Sequence, residues 1–493
     1  MRKRINFSRV VILLTGLVLF SCILAKASVS SFTHDESFSY LRYVSHSFMD
    51  LISNKDSYAN NHVLNTLLMK YSEKLFGSSE ISLRLPNVLM TLVYFVYAFL
   101  LLHKQNRILA MSVFIVMAAN TALTDFFGLA RGYGLSVGFM IMSLYHLIQA
   151  VDEERRKHLL LFNLAALLAI LSNFTLLTFY IAGLFAFNLC TYMQSRILAG
   201  EKFNFFRTNK INIASFFVLL IVLYEPVRKA VKFNAFDFGG KRGFVSDTVT
   251  ALIQHMVANI HLNPLPLFIL QAAVMIIVAA PLILVAVHFY RADKLFFADY
   301  RAMIMVSLIF PVIAIETIVQ HYLLKTDYPV GRFALFLLPL LILDLGFLCA
   351  WLLKFRSRYI IYPFIVSLAV FSASNFYLNR DLFSCAEWNY DSETKNAVNA
   401  LILDHVKAAQ GHRDIKVGIN WLFEPAINYY RVTRNLAWLL PVDRDGLTER
   451  DDYEYIFRDD LEKLKNSNYK VIFSSDRTNT VLIRLPAEVK KPG

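Results

Sequence analysis

The stretch that decides the fold is VVILLTGLVLFSCIL, residues 10–24. It follows the basic residues MRKR at 1–4, and with its flanks it is long enough to cross a bilayer core. A basic start followed by an apolar run also describes a secretory signal peptide. Residues 25–31 offer only a weak cleavage site, so we interpret the stretch as an uncleaved first membrane span.

The composition of the whole chain indicates a membrane protein. Of 493 residues, 56% are hydrophobic and only 18% are charged, whereas soluble domains average about 25% charged residues. These figures exclude a purely soluble protein. The four cysteines form neither a disulfide framework nor a metal-spaced pair.

Further apolar runs continue the pattern along the chain. Together with the first run they predict about eleven transmembrane helices. The additional runs lie near 84–102, 108–123, 133–151, 159–173, 174–193, 213–225, 265–287, 303–323, 333–353 and 359–378.

Charge asymmetry between the loops predicts the orientation. If the N-terminus is cytoplasmic, every short inside loop is basic, as at 155–157 and 354–358. An odd number of spans then puts the C-terminal tail outside, and we expect a bacterial inner-membrane protein with a periplasmic tail. The net charge of +13 is thereby explained by membrane orientation, and nucleic acid is not expected as a partner.

The predicted fold class is a polytopic α-helical membrane protein with a small α/β tail. We divide it into a transmembrane domain, residues 1–378, and an extramembrane domain, residues 379–493. In the first outer loop, about 28–80, helical periodicity at 38–51 and 63–75 predicts two interfacial helices. A second outer segment, about 226–264, is rich in Lys, Phe and Gly and is interpreted as a lid-like loop.

The tail shows mixed periodicity. Helices are expected near 393–409, near 458–466 and from Glu424 onward, an apolar run occupies 415–419, and β-rich runs occupy 471–474 and 480–485.

The strongest local signal is Thr33-His34-Asp35-Glu36, at the outer end of the first span. As a capping box, Thr33 would cap a helix and Glu36 would reach back to the Thr33 amide. Asp35 has no part in that box, although the helix dipole would stabilise it. The functional alternative is that Asp35 is a catalytic carboxylate that accepts a proton from an attacking nucleophile.

Two arginines are expected at the outer ends of their spans, Arg131 before Gly132-Tyr133 and Arg332 after Gly331. Arginine offers a fixed fork of donors suited to phosphate. Each side chain could instead snorkel to lipid head groups, but two arginines at one depth favour an anionic ligand. Lys325 either adds to the positive charge of these two arginines or is a solvated loop charge.

Other titratable residues carry weaker signals. His62 begins the second interfacial helix, but no pair of outer histidines has metal-ligand spacing. We therefore expect no metal cofactor and keep a divalent metal as the alternative. Glu316 and Asp344 fall inside predicted spans, where we expect buried hydrogen bonds to neighbouring helices.

The motifs together resemble a known superfamily. A first span ending in Asp35-Glu36, the stretch NHVLN at 61–65, LRLP at 83–86, RGY at 131–133 and GRF at 331–333 are the matching landmarks. The chain resembles the GT-C superfamily of membrane glycosyltransferases. The resemblance is to the bacterial branch of protein O-mannosyltransferases and the lipid A aminoarabinose transferase.

The resemblance implies an inverting glycosyltransferase whose partners are a polyprenyl-phosphate-linked sugar donor, a hydroxyl acceptor and membrane lipid. It implies that Asp35 is the general base and that Arg131, Arg332 and Lys325 hold the donor phosphate. It also assigns substrate binding to Glu36, His62, Tyr133 and Tyr328, and no metal.

Two other functions remain open from the residues. A transporter or flippase of a lipid-linked glycan would use the arginines to attract phosphate and Glu316 to couple to protons. A glycan polymerase or ligase would join chains in place of single sugars.

Overall fold

The apolar runs form helices because, inside a bilayer, every backbone N–H and C=O must be hydrogen-bonded within the protein. The computed structural model describes residues 7–53, 55, 61–152, 155–200, 202–232, 239–258, 260–355, 357–407, 414–444, 451–464 and 468–486. The α-helices of these residues are α1 (Phe7–Val29), α2 (His34–Tyr43), α3 (Phe48–Ile52), α4 (Val63–Phe76), α5 (Glu80–Leu102), α6 (Arg107–Ala118), α7 (Thr121–Phe127), α8 (Gly132–Asp152), α9 (Arg155–Ser172), α10 (Leu176–Gln194), α11 (Phe205–Lys232), α12 (Thr250–Met256), α13 (Pro264–Tyr290), α14 (Lys294–Asp299), α15 (Arg301–Leu324), α16 (Leu337–Leu352), α17 (Arg358–Asn379), α18 (Thr394–Lys407) and α19 (Glu424–Thr433).

The predicted count of eleven spans is not confirmed. Each apolar run coincides with a helix, but among the described residues eight helices are long and apolar enough to cross a membrane. A ninth is counted if α6 and α7, which meet at a 61° bend, form one span. Of the others, α9 begins with three charged residues and α16 has 16 residues, about 24 Å at a rise of about 1.5 Å per residue, less than a bilayer core of about 30 Å.

The first outer segment forms three helices where two were predicted. The chain leaves helical geometry after Tyr43 and restarts at Phe48, because the Ser47 hydroxyl caps α3 by accepting from the Asp50 amide at 3.2 Å. The second predicted helix is confirmed as α4 and ends at Gly77, whose φ of 83° suits glycine. Asn65 on this helix is polar but buried.

The predicted lid-like segment is largely helical where it is described. Helix α11 extends into it as far as Lys232, and a π-helical turn (Phe244–Val249) leads into α12. Gly240 pairs with Tyr328 through two backbone hydrogen bonds of 2.8 and 2.9 Å. The predicted lid residues Phe233, Phe236 and Phe238 lie outside the described residues.

The tail contains the expected sheet, with one strand that the sequence did not predict. Its strands are β1 (Val417–Ile419), β2 (Tyr453–Phe457), β3 (Lys470–Ser475) and β4 (Thr480–Arg484). Their order is β1-β2-β4-β3, with β1 and β2 parallel and the other pairs antiparallel. The missed strand is β2, a central one, where Glu454 interrupts the apolar pattern although its side chain is buried. The predicted helix at 458–466 is a short 3₁₀ helix, Arg458–Lys463.

The tail and the first outer segment share one hydrophobic core. Phe32, Val44 and Leu83 pack in the same cluster as tail residues such as Tyr429. The rings of Phe32 and Tyr429 are stacked with their centroids 4.2 Å apart. The tail is therefore docked directly on the segment that carries Asp35 and Glu36.

Candidate active site

Glu36 and Arg84 form a fully buried ion pair beneath the start of α2. The Arg84 guanidinium donates to Oε1 of Glu36 at 2.8 Å and to Oε2 at 2.7 Å, and both side chains are 0% exposed. Glu36 also accepts from the backbone amides of Thr33 at 2.9 Å and Ala130 at 2.6 Å. The Thr33 contact is the one that the capping box predicted.

Arg84 also closes the end of α1. Its guanidinium donates to the backbone carbonyls of Ala27, Ser30 and Ser31 at 3.1, 3.0 and 2.7 Å. The last carbonyls of a helix have no partner within the helix, so this arginine satisfies groups that would otherwise be unpaired. Because both oxygens of Glu36 are occupied and no part of its side chain is exposed, we assign Glu36 a structural role in place of the predicted substrate binding.

Asp35 points to a different set of charges. Its Oδ2 lies 3.3 Å from Nη2 of Arg131 and 3.4 Å from Nη1 of Arg332. The side chain is 15% exposed, and within the described part of the chain Oδ2 has no aligned hydrogen bond. The structure therefore brings together three residues that are far apart in sequence, with 96 positions from Asp35 to Arg131 and 201 from Arg131 to Arg332. The carboxylate is held by charge, and its lone pairs are still available.

The two arginines differ in accessibility. Arg131 is 1% exposed and donates to Ser39 Oγ at 2.9 Å and to the Asp35 carbonyl at 3.4 Å. Arg332 is 25% exposed and lies against aromatic rings, 4.9 Å from the centroid of Trp388 and 5.9 Å from that of Tyr133. Only Arg332 has a guanidinium that a ligand can reach without rearrangement.

Asparagine side chains fix the Arg131 segment. Asn65 on α4 donates to the carbonyl of Ala130 at 2.8 Å and accepts from Asn87 at 2.7 Å. Asn87 in turn accepts from the Leu135 amide at 3.2 Å. The glycine of the RGY motif is required by close approach, because a Cβ on Gly132 would lie 1.8 Å from the carbonyl oxygen of Ser172.

His62 and Tyr133 line the same cluster. The rings are 4.9 Å apart, and Nδ1 of His62 is 2.7 Å from the Ser172 carbonyl. Burial holds the pKa of His62 well below its ordinary value, and the positive charges of Arg131 and Arg332 act in the same direction. The imidazole is therefore neutral near pH 7.

Lys325 and Tyr328 lie apart from this cluster. Lys325 is exposed, with a positive φ of 58° at the end of α15. Tyr328 is 4% exposed and stacks on His321 at 4.3 Å, beside its backbone pairing with Gly240. Among the contacts of the described residues, none joins either side chain to Asp35, so the structure does not support the predicted phosphate and substrate roles.

The carboxylates inside the spans behave differently from the prediction. Asp344 on α16 is completely buried, yet neither of its carboxylate oxygens has a hydrogen-bond partner among the described residues. One carboxylate oxygen of Glu316 is likewise buried without a hydrogen-bond partner among the described residues. The expected hydrogen bonds to neighbouring helices are therefore not seen.

Sequence reasoning missed the tail's contribution to the site. A 3₁₀ segment after the last span, Ala386–Asp391, brings three side chains to the cluster. Glu387 lies 3.9 Å from Arg332, Trp388 packs on the same guanidinium, and Asp391 accepts from the His34 amide at 2.6 Å. No motif marks these residues, and their only signal in the sequence is that they follow directly after the last predicted span.

Comparison with known proteins gives one family match and two structural matches. Residues 63–225 match the family model described as dolichyl-phosphate-mannose-protein mannosyltransferase. The fold is similar to a crystal structure of ArnT from Cupriavidus metallidurans bound to undecaprenyl phosphate, with a TM-score of 0.52, 11% sequence identity and coverage of 98% of this chain and 99% of that chain. The apo state of the same protein aligns with a TM-score of 0.43, at 10% identity over 99% of this chain and 100% of that chain. None of the curated proteins compared with this chain matches it.

These matches confirm the predicted resemblance. The chain is a helical membrane protein whose overall fold is similar to that of ArnT, and its residues 63–225 are similar to the mannosyltransferase family. Glycosyltransferase is the class of activity that the family match supports.

Proposed function

We propose that the chain is an inverting glycosyltransferase that moves a sugar from a polyprenyl-phosphate carrier to a hydroxyl acceptor at the outer face of the membrane. The observation that carries the proposal is the Asp35 carboxylate, partly exposed and held between Arg131 and Arg332. Such a transfer requires a base and a group that binds phosphate. Here the Asp35 carboxylate and the Arg332 guanidinium are these two groups, 3.4 Å apart.

In the proposed reaction, the acceptor oxygen attacks the anomeric carbon while its proton passes to Asp35. The bond from the anomeric carbon to the phosphate oxygen breaks on the opposite face, so the configuration inverts. The bonding electrons leave with the phosphate, whose added negative charge is stabilised by guanidinium donors. The acceptor's O–H bond and the donor's C–O bond are replaced by one glycosidic bond and one protonated carboxyl group.

Because the two arginines differ in exposure, we assign them different roles. We assign the donor phosphate to Arg332, which is accessible and held by the rings of Trp388 and Tyr133. Arg131 is buried and bonded to Ser39, so it holds Asp35 in position. Tyr133, which is buried, and neutral His62 pack against each other beside the arginines, and the Tyr133 ring supports the Arg332 guanidinium.

The ligand of the structural neighbour supports the choice of donor. The ArnT structure that aligns with nearly the whole chain is described as bound to undecaprenyl phosphate. A carrier of that kind delivers its phosphate at the membrane surface, where α1 ends and α2 begins. The proposal places the N-terminus in the cytoplasm and the tail in the periplasm of a bacterial inner membrane, as the basic inside loops predict.

The proposal gives no step to a metal ion. Asp35 removes the proton and Arg332 stabilises the phosphate without further charge. Turnover of the purified protein is therefore expected to be unchanged by a chelator such as EDTA, and recovery of a lost activity by Mg²⁺ or Mn²⁺ would contradict this part of the proposal.

The test compares cells that produce the wild-type chain with cells that produce the Asp35→Asn variant. Mass spectrometry of lipid extracts and envelope glycans is expected to show one sugar addition that disappears in the variant, while equal amounts of folded protein are present. The lost mass identifies the sugar and its acceptor together. Unchanged glycan masses in both strains, with a labelled carrier lipid still crossing the membrane of liposomes, would support a flippase and contradict the proposal.

A further inference from the structure

The short loop that leads into α2 is held by the tail. Residues 31–34 connect the first span to the helix that carries Asp35. Five hydrogen bonds join this loop to residues of the tail: Ser31 Oγ to the Ser392 carbonyl at 2.7 Å, the Lys395 amide to Ser31 Oγ at 3.2 Å, the Phe32 amide to the Tyr430 hydroxyl at 2.9 Å, the His34 amide to Asp391 Oδ2 at 2.6 Å, and His34 Nδ1 with the Leu422 carbonyl at 2.7 Å.

Asp391 makes the contact nearest to Asp35. It is completely buried, and its two oxygens accept from the His34 amide at 2.6 Å and the Thr394 hydroxyl at 3.2 Å. His34 is the first residue of α2, whose initial N–H groups have no partner within the helix. Glu36 accepts from the Thr33 amide in the capping box, whereas the carboxyl group that accepts from the His34 amide comes from the tail, 357 residues away.

Burial of the Asp391 carboxyl group disfavours its charged form. Burial raises the pKa of Asp391 well above its ordinary value, and the nearby carboxylates of Asp35 and Glu36 act in the same direction. Asp391 is nevertheless bonded to His34, the residue directly before the proposed base. The hydrogen bonds from the His34 amide and the Thr394 hydroxyl lower the pKa and partly offset this effect.

We propose that Asp391 is a positioning residue for Asp35, so that the tail forms part of the active site. Asp391 fixes the first residue of α2 and thereby the direction in which the next residue points. Asp35 Oδ2 lies 3.3 and 3.4 Å from its two guanidinium partners, and a displacement of about 1 Å at a reacting group can reduce turnover by about 10²-fold. The proposal rests on the proposed function in taking Asp35 as the base.

The test uses the full-length chain in lipid nanodiscs with three variants. Asp391→Ala removes the acceptor, Asp391→Asn keeps its shape and one acceptor oxygen, and Lys395→Gln is the matched control. The Lys395 side chain pairs with Glu80 at 2.9 Å in the same interface between tail and transmembrane part, and the substitution leaves the Lys395 backbone amide that donates to Ser31 in place. We expect Asp391→Ala to lower kcat by roughly 10²-fold while the donor KM changes little, since the arginines are untouched.

The conservative variant and the control separate positioning from docking. Asp391→Asn is expected to recover most of the kcat, and Lys395→Gln is expected to keep the wild-type kcat. A wild-type kcat for Asp391→Ala would overturn the proposal. Equal losses of kcat in Asp391→Ala and Lys395→Gln would also overturn it, because they would indicate only a weakened attachment of the tail.

A second measurement does not depend on the reaction. Hydrogen–deuterium exchange of a peptide that covers residues 30–37 is expected to be faster in Asp391→Ala than in the wild type and in Lys395→Gln. If the wild type transfers no sugar but this local effect is present, the proposed function fails while Asp391 still positions the helix. If exchange at 30–37 is unchanged in Asp391→Ala, the positioning role itself is wrong.

Discussion

Asp35 and Glu36 are neighbours on one helix, and the comparison between them separates structure from chemistry. Glu36 and Arg84 form a bidentate pair of 2.7 and 2.8 Å in which neither side chain is exposed. Asp35 sits at 3.3 and 3.4 Å from two arginines and retains 15% of its exposure. Glu36 has no oxygen left to bind a ligand. Asp35 is held by the charges of its two arginines and remains accessible.

The difference follows from helical geometry. Consecutive residues on a helix point about 100° apart, so two adjacent carboxylates must face different surroundings. Glu36 faces the junction of α1 and α5 in the protein interior, and Asp35 faces the outer ends of the segments that carry Arg131 and Arg332. The tight pair fixes the scaffold, and the loose group is available to react.

The largest expected effects come from neutralising each carboxylate in turn. Asp35→Asn should lower turnover by roughly 10³-fold, within the range known for general bases, and leave thermal unfolding within a few degrees of the wild type. Glu36→Gln should reduce the free energy of unfolding by about 3–5 kcal/mol, because it leaves the Arg84 charge buried without a partner. Turnover in nanodiscs and thermal unfolding in detergent, followed by intrinsic fluorescence, measure the two effects.

The same pair of variants can break the comparison. A Glu36→Gln protein that unfolds at the wild-type temperature and has lost turnover would show that Glu36 takes part in chemistry. An Asp35→Asn protein that fails to fold would show that Asp35 is structural.

An intermediate effect is expected from the two arginines beside Asp35. Arg332→Lys should raise the donor KM by about tenfold, because lysine cannot form a two-pronged contact with phosphate. Arg131→Lys should lower kcat more than it raises the donor KM, because Arg131 is buried and holds the base. Initial rates at several donor concentrations distinguish the two, and an unchanged donor KM in Arg332→Lys would remove Arg332 from the phosphate site.

The smallest expected effect is on the pH dependence of stability. His62 has a pKa below its ordinary value of 6.5 because of burial and the nearby arginines, so folding favours the neutral ring. Its contribution is fully present above pH 6.5 and is lost as the pH falls further, because the unfolded state then binds a proton that the folded state does not.

The wild-type melting temperature should therefore fall between about pH 6.5 and pH 5, and the fall should be smaller in His62→Asn. A residual slope is expected in that variant because burial also lowers the pKa of His255. Identical slopes in both proteins would show that His62 does not titrate in this way.

Much of the fold could be predicted from local patterns. All eleven apolar runs are helical, and α4, α18, α19, β3 and β4 lie close to their predicted positions. The errors have local causes: Ser47 splits the first interfacial helix, and Glu454 hides β2 in a pattern that looks too polar. The count of eleven spans is not confirmed, because α9 begins with three charged residues and α16 has only 16 residues.

The candidate site was predictable only in part. Asp35 was singled out because the capping box does not use it, and Arg131 and Arg332 because two arginines at one depth favour an anionic ligand. Glu36 was assigned to substrate although the capping box already indicated a structural role. Lys325 and Tyr328 were also predicted to bind phosphate and substrate, and among the described residues no contact joins either side chain to Asp35.

The sequence by itself determined that this is a polytopic helical membrane protein, because hydropathy and helical periodicity are properties of short segments. Only the tertiary structure decided which charges meet. Arg84 proved to be the partner of Glu36, and Asp391 proved to close the helix of Asp35 from a distance of 357 residues. Ion pairs and hydrogen bonds act over a few ångströms in space, and nothing in local sequence records which distant segments folding will bring within that range.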